Sequence, residues 1–112
     1  MYKEYDKCRD KVTTDFYNSS VWKEKIINIK NNCFGVDIYS LFKFNTVEFG
    51  EVTHHIIPLK ESYEQRLDDD NLILLTEMNH RNIHTLMERG KKKEITNELK
   101  EYKKMFQLLI SA

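Results

Sequence analysis

The residues of this chain best suited to chemistry are its 4 histidines, and all of them fall in one stretch: His54, His55, His80 and His84. An imidazole does two kinds of work near neutral pH. Its unprotonated nitrogen binds divalent metals, and its ordinary pKa lets it take a proton from water. His80 and His84 stand four apart in a segment patterned as a helix. A helix puts such a pair on one face, where both can hold one ion. His54 and His55 are adjacent in a segment that reads as a strand. Adjacent strand residues point to opposite sides, or are splayed by a bulge, so the two should do different jobs, one joining the metal and one facing a substrate. Taken singly, each feature has an ordinary explanation: a lone strand histidine is usually a surface or core residue, and a helical pair is most often a satisfied surface pair. The four together bracket a strand, a loop, a strand and a helix, which is harder to dismiss. Three nitrogen donors that leave positions open on the ion make a catalytic rather than a closed structural arrangement.

The elements that must carry these groups follow from the local pattern. Glu51 to Ile57 reads as a strand, halted at Pro58. Residues 59–70 are polar and end in Asp68-Asp69-Asp70, which predicts a loop. Asn71 to Leu75 is a short apolar run, read as the second strand. Thr76 can cap a helix that runs to about Arg89, with Gly90 as its C-terminal stop. Upstream, Asn18-Ser19-Ser20 offers an N-cap for a helix from Ser20 to Asn31, with Trp22, Ile26 and Ile29 at helical spacing. Residues 36–49 are rich in β-branched and aromatic side chains, consistent with a strand or with a short helix followed by a strand. Ile95, Leu99, Tyr102, Phe106 and Leu109 follow one another at steps of 4, 3, 4 and 3, the pattern of a single apolar face on a helix over about 92–110. That face either packs on the domain or makes a homodimer contact. Tyr2, Tyr5 and Phe16, in the weakly patterned first segment, could dock on the body, but no periodicity says where.

Composition sets the outer bounds. A chain of 112 residues, 40% hydrophobic and 32% charged, suits one α+β domain over 1–112. One proline and three glycines leave no flexible linker to divide it. The charged N-terminal segment is not a signal peptide, and no apolar run approaches the roughly 20 residues that span a bilayer. Cys8 and Cys33 form no CxxC pair, which points away from a disulfide framework and toward a reducing cytoplasm. Net charge is zero, with residues 31–70 acidic and the two flanks basic. Candidate phosphate contacts are Arg81, Arg89, Lys91, Lys92 and Lys93, with Lys100, Lys103 and Lys104 beyond them. The competing reading of these lysines is a solvated helix face.

Val52-Thr53-His54-His55-Ile56-Ile57-Pro58-Leu59, then Asp70-Asn71-Leu72-Ile73-Leu74-Leu75, then His80 and His84, resembles the HNH nuclease motif. Its three letters fall on His55, Asn71 and His80. The spacing is similar to that of the colicin DNases, and the leader Tyr17-Asn-Ser-Ser-Val-Trp22-Lys23 resembles that of small phage-type HNH proteins, often found beside DNA-packaging genes. The resemblance implies a ββα-metal core over about 50–89, flanked by N-terminal and C-terminal helices. It implies His55 as general base on water, and one divalent metal, Mg, Mn, Ni or Zn, held by His54, His80 and His84. It implies Asn71 as the brace of the loop between the strands. Many phage-type members also carry two CxxC pairs around a structural zinc. Here Cys33 lacks its partner, and Thr76 and Asn79 stand where the second pair would be, so no structural zinc is expected. The apolar residues of 36–49 are expected to replace it by packing.

Three functions follow as expectations. The first is a metal-dependent endonuclease acting on DNA, in the host cytoplasm with phage packaging proteins if the leader resemblance holds. The second is a non-catalytic, metal-stabilised DNA-binding or assembly module. The third is a nuclease toxin. His55 favours the first, because a pure binding module needs no general base.

Overall fold

A computed structural model describes residues 10–112; Tyr2, Tyr5 and Cys8 lie outside the described residues. The described residues open with two helices joined at a single residue. Helix α1 (Lys11–Asn18) is capped by Asp10, whose carboxylate accepts from the Thr13 amide at 2.7 Å. Helix α2 (Ser20–Asn32) is capped by the Ser19 hydroxyl, which accepts from the Trp22 amide. These side-chain oxygens satisfy first-turn N–H groups that a helix cannot pair internally. Ser19 ends one helix and begins the next, so the chain turns a corner there. Phe16 and Trp22 are buried at that corner, with ring centroids 5.2 Å apart.

Residues 36–49 form the short helix α3 (Ile38–Lys43), capped by Asp37, followed by an irregular return with one isolated bridge, Val36 to Phe49. Strands β1 (Val52–His55) and β2 (Leu72–Leu75) pair antiparallel, with Val52 opposite Leu75 and His55 opposite Leu72. All four β2 side chains are buried. Helix α2, helix α3 and helix α4 (Glu77–Leu86) all pack on that strand, which explains why it is an unbroken apolar run instead of an alternating one. Gly50 lies so close to this layer that a Cβ there would stand 2.6 Å from Leu74 Cγ. Between the strands, two 3-10 turns, Tyr63–Gln65 and Asp69–Asn71, shape the loop.

Thr76 caps α4 through the Asn79 amide. Past Leu86 the chain widens into a π-helical turn, Met87–Lys91, where Gly90 takes φ +89°, and it restarts as helix α5 (Lys92–Ser111). A side chain at that φ would be strained, so glycine is the residue that allows the kink. Ile95, Leu99 and Phe106 are buried against the body, and the Tyr102 ring lies against Tyr39 and Phe42 of α3. The apolar face of α5 is therefore used within the chain as far as Phe106, and Leu109 is exposed.

One expectation about 36–49 needs correction. Apolar packing carries only part of the segment: Ile38 and Tyr39 are buried and Leu41 and Phe42 pack against the core, whereas Phe44, Val47 and Phe49 are exposed. The bonds that tie it to α4 are polar and converge on the buried Asp37: Thr76 and Asn79 both donate to its carboxylate. The reason lies in the turn geometry. Asp37 caps α3 with one oxygen and has the other left for a second helix.

The packing of α5 predicts a contrast. Leu99→Ala should cost about 2–5 kcal/mol in urea denaturation, as for a fully buried leucine, and Leu109→Ala should stay within about 0.5 kcal/mol. Equal losses at the two positions would contradict the burial boundary.

Candidate active site

His54, near the end of β1, is buried, and among the described residues its Nε2 has no hydrogen-bond partner. A buried polar nitrogen left unpaired costs about 1–3 kcal/mol, so its surroundings need an explanation. His80 and His84, from the inner face of α4, supply one. Their ring centroids lie 5.3 and 5.5 Å from that of His54, and their own Nε2 atoms are 3.0 Å apart. One nitrogen from each of the three rings falls within 4.8 Å of the others. The helical i, i+4 spacing produces this directly, since Thr76 starts α4 at the point that turns both imidazoles toward the strand.

The electrostatics favour lone pairs over protons. Burial drives the His54 pKa well below the ordinary value, and the charges of His80 and His84 push it the same way. Burial, with His84 adding to it, brings His80 down to about 4. Burial also lowers His84. Three neutral imidazoles with an orphaned buried nitrogen among them are the donor set of a divalent transition ion. Two nitrogens each about 2.0–2.1 Å from one ion lie about 3 Å apart, as the His80 and His84 nitrogens do. The residues present therefore fit such an ion.

His55 is turned toward other neighbours. Its ring stacks on Trp22, with centroids 5.0 Å apart and planes at 17°, and lies 6.1 Å from both Phe16 and Tyr17. Its Nε2 is 3.0 Å from the carbonyl oxygen of Arg66. A carbonyl can only accept, so Nε2 carries the proton and Nδ1 keeps its lone pair. Burial holds this imidazole below its ordinary pKa, against the raising effect of the Arg66 bond. His54 and His55 remain close enough for His55 to contribute to the lowered pKa of His54.

Asn71 accounts for the shape of the loop that supplies Arg66. Its buried side chain accepts from the Ile57 amide at 2.8 Å and donates to the carbonyls of Ile57 and Gln65 at 3.2 and 3.3 Å. Its backbone carbonyl accepts from Ile56, extending the strand pairing past His55. One side chain thus ties both ends and the middle of the loop.

The cationic residues are less concentrated than their sequence suggests. Arg81, Arg89, Lys91, Lys92 and Lys93 are all exposed. Arg81 pairs with Glu77 at 2.6 Å, Lys91 with Glu94 at 3.8 Å, and Lys92 with Glu61. Sequence reasoning missed the aromatic corner around His55 and the Arg66 carbonyl. Trp22 was visible as a helix core residue, but nothing in its spacing linked it to His55. A backbone carbonyl leaves no mark in a sequence.

Neither a family model nor a curated protein matches this chain. Among solved structures it is similar to the crystal structure of the HNH endonuclease of the deep-sea thermophilic bacteriophage GVE2 with manganese ion. The TM-score is 0.68 and the identity 28%, over 78% of this chain and 95% of that one. Among the described residues no helix is long and apolar enough to cross a membrane.

The lowered histidines set a pH dependence. In the unfolded chain each would titrate near 6.5, and in the folded, metal-free chain His80 titrates near 4. Between those values the unfolded state binds more protons, so stability falls as pH falls. In the presence of a chelator, the thermal midpoint should drop steadily from about pH 6.5 toward pH 4, before most carboxylates titrate. A midpoint that is flat between pH 6.5 and 5 would show that the three rings are not held neutral.

Proposed function

We infer that this chain, an HNH-family protein by its motif and by its fold, is a metal-dependent nuclease that hydrolyses DNA phosphodiester bonds. One observation carries the reading: a three-imidazole cluster adjoins a fourth, separately oriented histidine whose unprotonated nitrogen is Nδ1. Binding and proton transfer are thereby assigned to different groups within two consecutive residues. The manganese in the similar phage endonuclease supports the choice of a divalent ion.

His54, His80 and His84 would hold the ion. When bound, it supplies positive charge to the phosphate and to the leaving 3′ oxygen. His55 does the proton chemistry. Its Nε2–H is fixed on the Arg66 carbonyl, so Nδ1 accepts a proton from the attacking water, and the stacked Trp22 ring holds the imidazole plane in place. A burial-lowered pKa keeps that nitrogen unprotonated at neutral pH. Asn71 acts one step behind, keeping the loop carbonyl where the His55 proton needs it. Arg81, Arg89, Lys91, Lys92 and Lys93 would meet the DNA backbone at the α4–α5 corner. With zero net charge and several of these cations paired, non-specific attraction to DNA is weak. On the leader resemblance, the setting is phage DNA packaging or processing. A DNA-binding module without catalysis would not need an oriented base, which argues against the second reading.

Supercoiled plasmid nicking tests the function. Wild-type protein should nick with Mn²⁺ or another of Mg²⁺, Ni²⁺ and Zn²⁺. His55→Ala should nick about 100-fold more slowly or worse, the usual contribution of a general base. A metal-induced rise in the thermal midpoint of the variant would establish that it is folded. If wild-type protein nicks with none of the four ions, the chain is not a nuclease. If the two proteins nick equally, His55 is not the base.

A further inference from the structure

The network around Asp37 lies outside the proposed chemistry, yet it reaches the helix that carries two of the three clustered histidines. Asp37 is fully buried, and no cation pairs with it among the described residues. Three N–H donors converge on it instead. Oδ1 accepts from the Ser40 amide at 2.8 Å, and Oδ2 accepts from the Thr76 amide at 2.6 Å and from Asn79 Nδ2 at 2.9 Å. Asn79 gives its second proton to Ser40 Oγ at 2.7 Å, and Ser40 passes its own proton to Glu48 at 2.7 Å. Both Asn79 Nδ2 protons and the Ser40 hydroxyl proton are used, so this chain of bonds runs in one direction, from Asn79 through Ser40 to Glu48.

Only a carboxylate accepts all three bonds. An asparagine in this place would set an NH₂ group against at least one N–H. The charge itself is offset by the amides that begin two helices, α3 and α4. Thr76 is the cap of α4 and Asn79 lies in its first turn, directly before His80. A helix gripped at both points cannot turn about its axis or slide without breaking a bond to a buried charge. His80 and His84 lie on that same helix, and a metal site functions only if its ligands are held to about 0.5 Å.

We propose that Asp37, acting through Thr76 and Asn79, is a positioning residue that fixes the rotation of α4 so that His80 and His84 converge with His54 on one divalent ion. The proposal rests on reading those three histidines as metal ligands. It assigns to Asp37 and Asn79 an effect on the metal that exceeds their effect on folding.

The test uses Co²⁺ as probe, because its visible absorption reports ligand geometry directly. The full chain is titrated with Co²⁺ at neutral pH, at a temperature where circular dichroism shows each protein folded. Four proteins are compared: wild type, Asp37→Asn, Asn79→Ala and Leu99→Ala, the last being destabilised without removing any hydrogen bond of the network. Asp37→Asn and Asn79→Ala should each bind Co²⁺ about 10- to 100-fold more weakly, with an altered visible band, as when a group supporting a metal ligand is removed. Leu99→Ala should keep the wild-type affinity and band despite its lower thermal midpoint. Should Asp37→Asn fail to fold, Asn79→Ala alone decides. Wild-type affinity and band in the clamp variants, or an equal loss in Leu99→Ala, would overturn the positioning role. Wild-type protein that takes up no Co²⁺ would remove the metal reading and this proposal with it, whereas failure of the clamp variants alone to differ leaves the metal reading standing.

Discussion

Two consecutive histidines on one strand cannot share a set of neighbours, and most of this structure can be understood from that constraint. The pleat turns His54 and His55 apart. A single covering layer could therefore order one of them and would leave the other in solvent. The fold supplies two covers. Helix α4 closes over His54 and brings two further imidazoles, while the corner between α1 and α2 closes over His55 and brings only aromatic rings. The chemical difference between the two histidines comes from these covers. One ring meets lone pairs, and the other meets carbon surface and a single carbonyl.

The covers also determine what each histidine can do. Around His54 lie the rings of His80 and His84, and among the described residues its Nε2 has no hydrogen-bond partner. Among the described residues, the His55 ring hydrogen-bonds to a carbonyl, which fixes the proton on Nε2 and leaves Nδ1 with its lone pair. That carbonyl belongs to a loop with little core of its own. Asn71 gives the loop its shape by bonding across it, so the orientation of His55 depends on a side chain sixteen positions away in sequence. The setting of the His55 ring is thus carried by hydrogen bonds to backbone as well as by packing on Trp22.

How much of this the sequence made legible divides along the same line. Regular elements were readable, because periodicity and caps act locally: the strand around His54, the apolar run of β2, Thr76 at the start of α4, Gly90 at the kink and the face of α5 all follow from neighbours within a few residues. The pairing of His80 and His84 was readable because a helix repeats at a fixed pitch, whereas the choice of His54 over His55 as their neighbour came only from the family resemblance. Helix α1 was not readable, since Lys11 to Asn18 spans only two turns with few apolar residues, and Phe16 finds its place against Trp22 and His55. The segment 36–49 misled for a related reason. Its aromatic content suggested a buried element, whereas Phe44, Val47 and Phe49 remain exposed and the buried members include Asp37 and Ser40. Composition indicates how much apolar surface a segment offers but not which of its polar groups will be needed inside.

That last substitution bears on how small domains hold a demanding site. Packing alone would leave α4 free to settle wherever its apolar face fits best, since contacts among Ile83 and the β2 leucines are tolerant of small rotations. Hydrogen bonds to a buried charge are not tolerant, because a shift of a few tenths of an ångström leaves a group unpaired in a place where water cannot replace the partner. Burying a carboxylate is costly in itself, and replacing such groups with apolar ones often leaves a protein no less stable. Net stability is thus a poor explanation for Asp37 being there. Directional constraint is a better one: three donors from two helices meet one carboxylate, and the histidines that must converge lie one and five residues beyond the last of them.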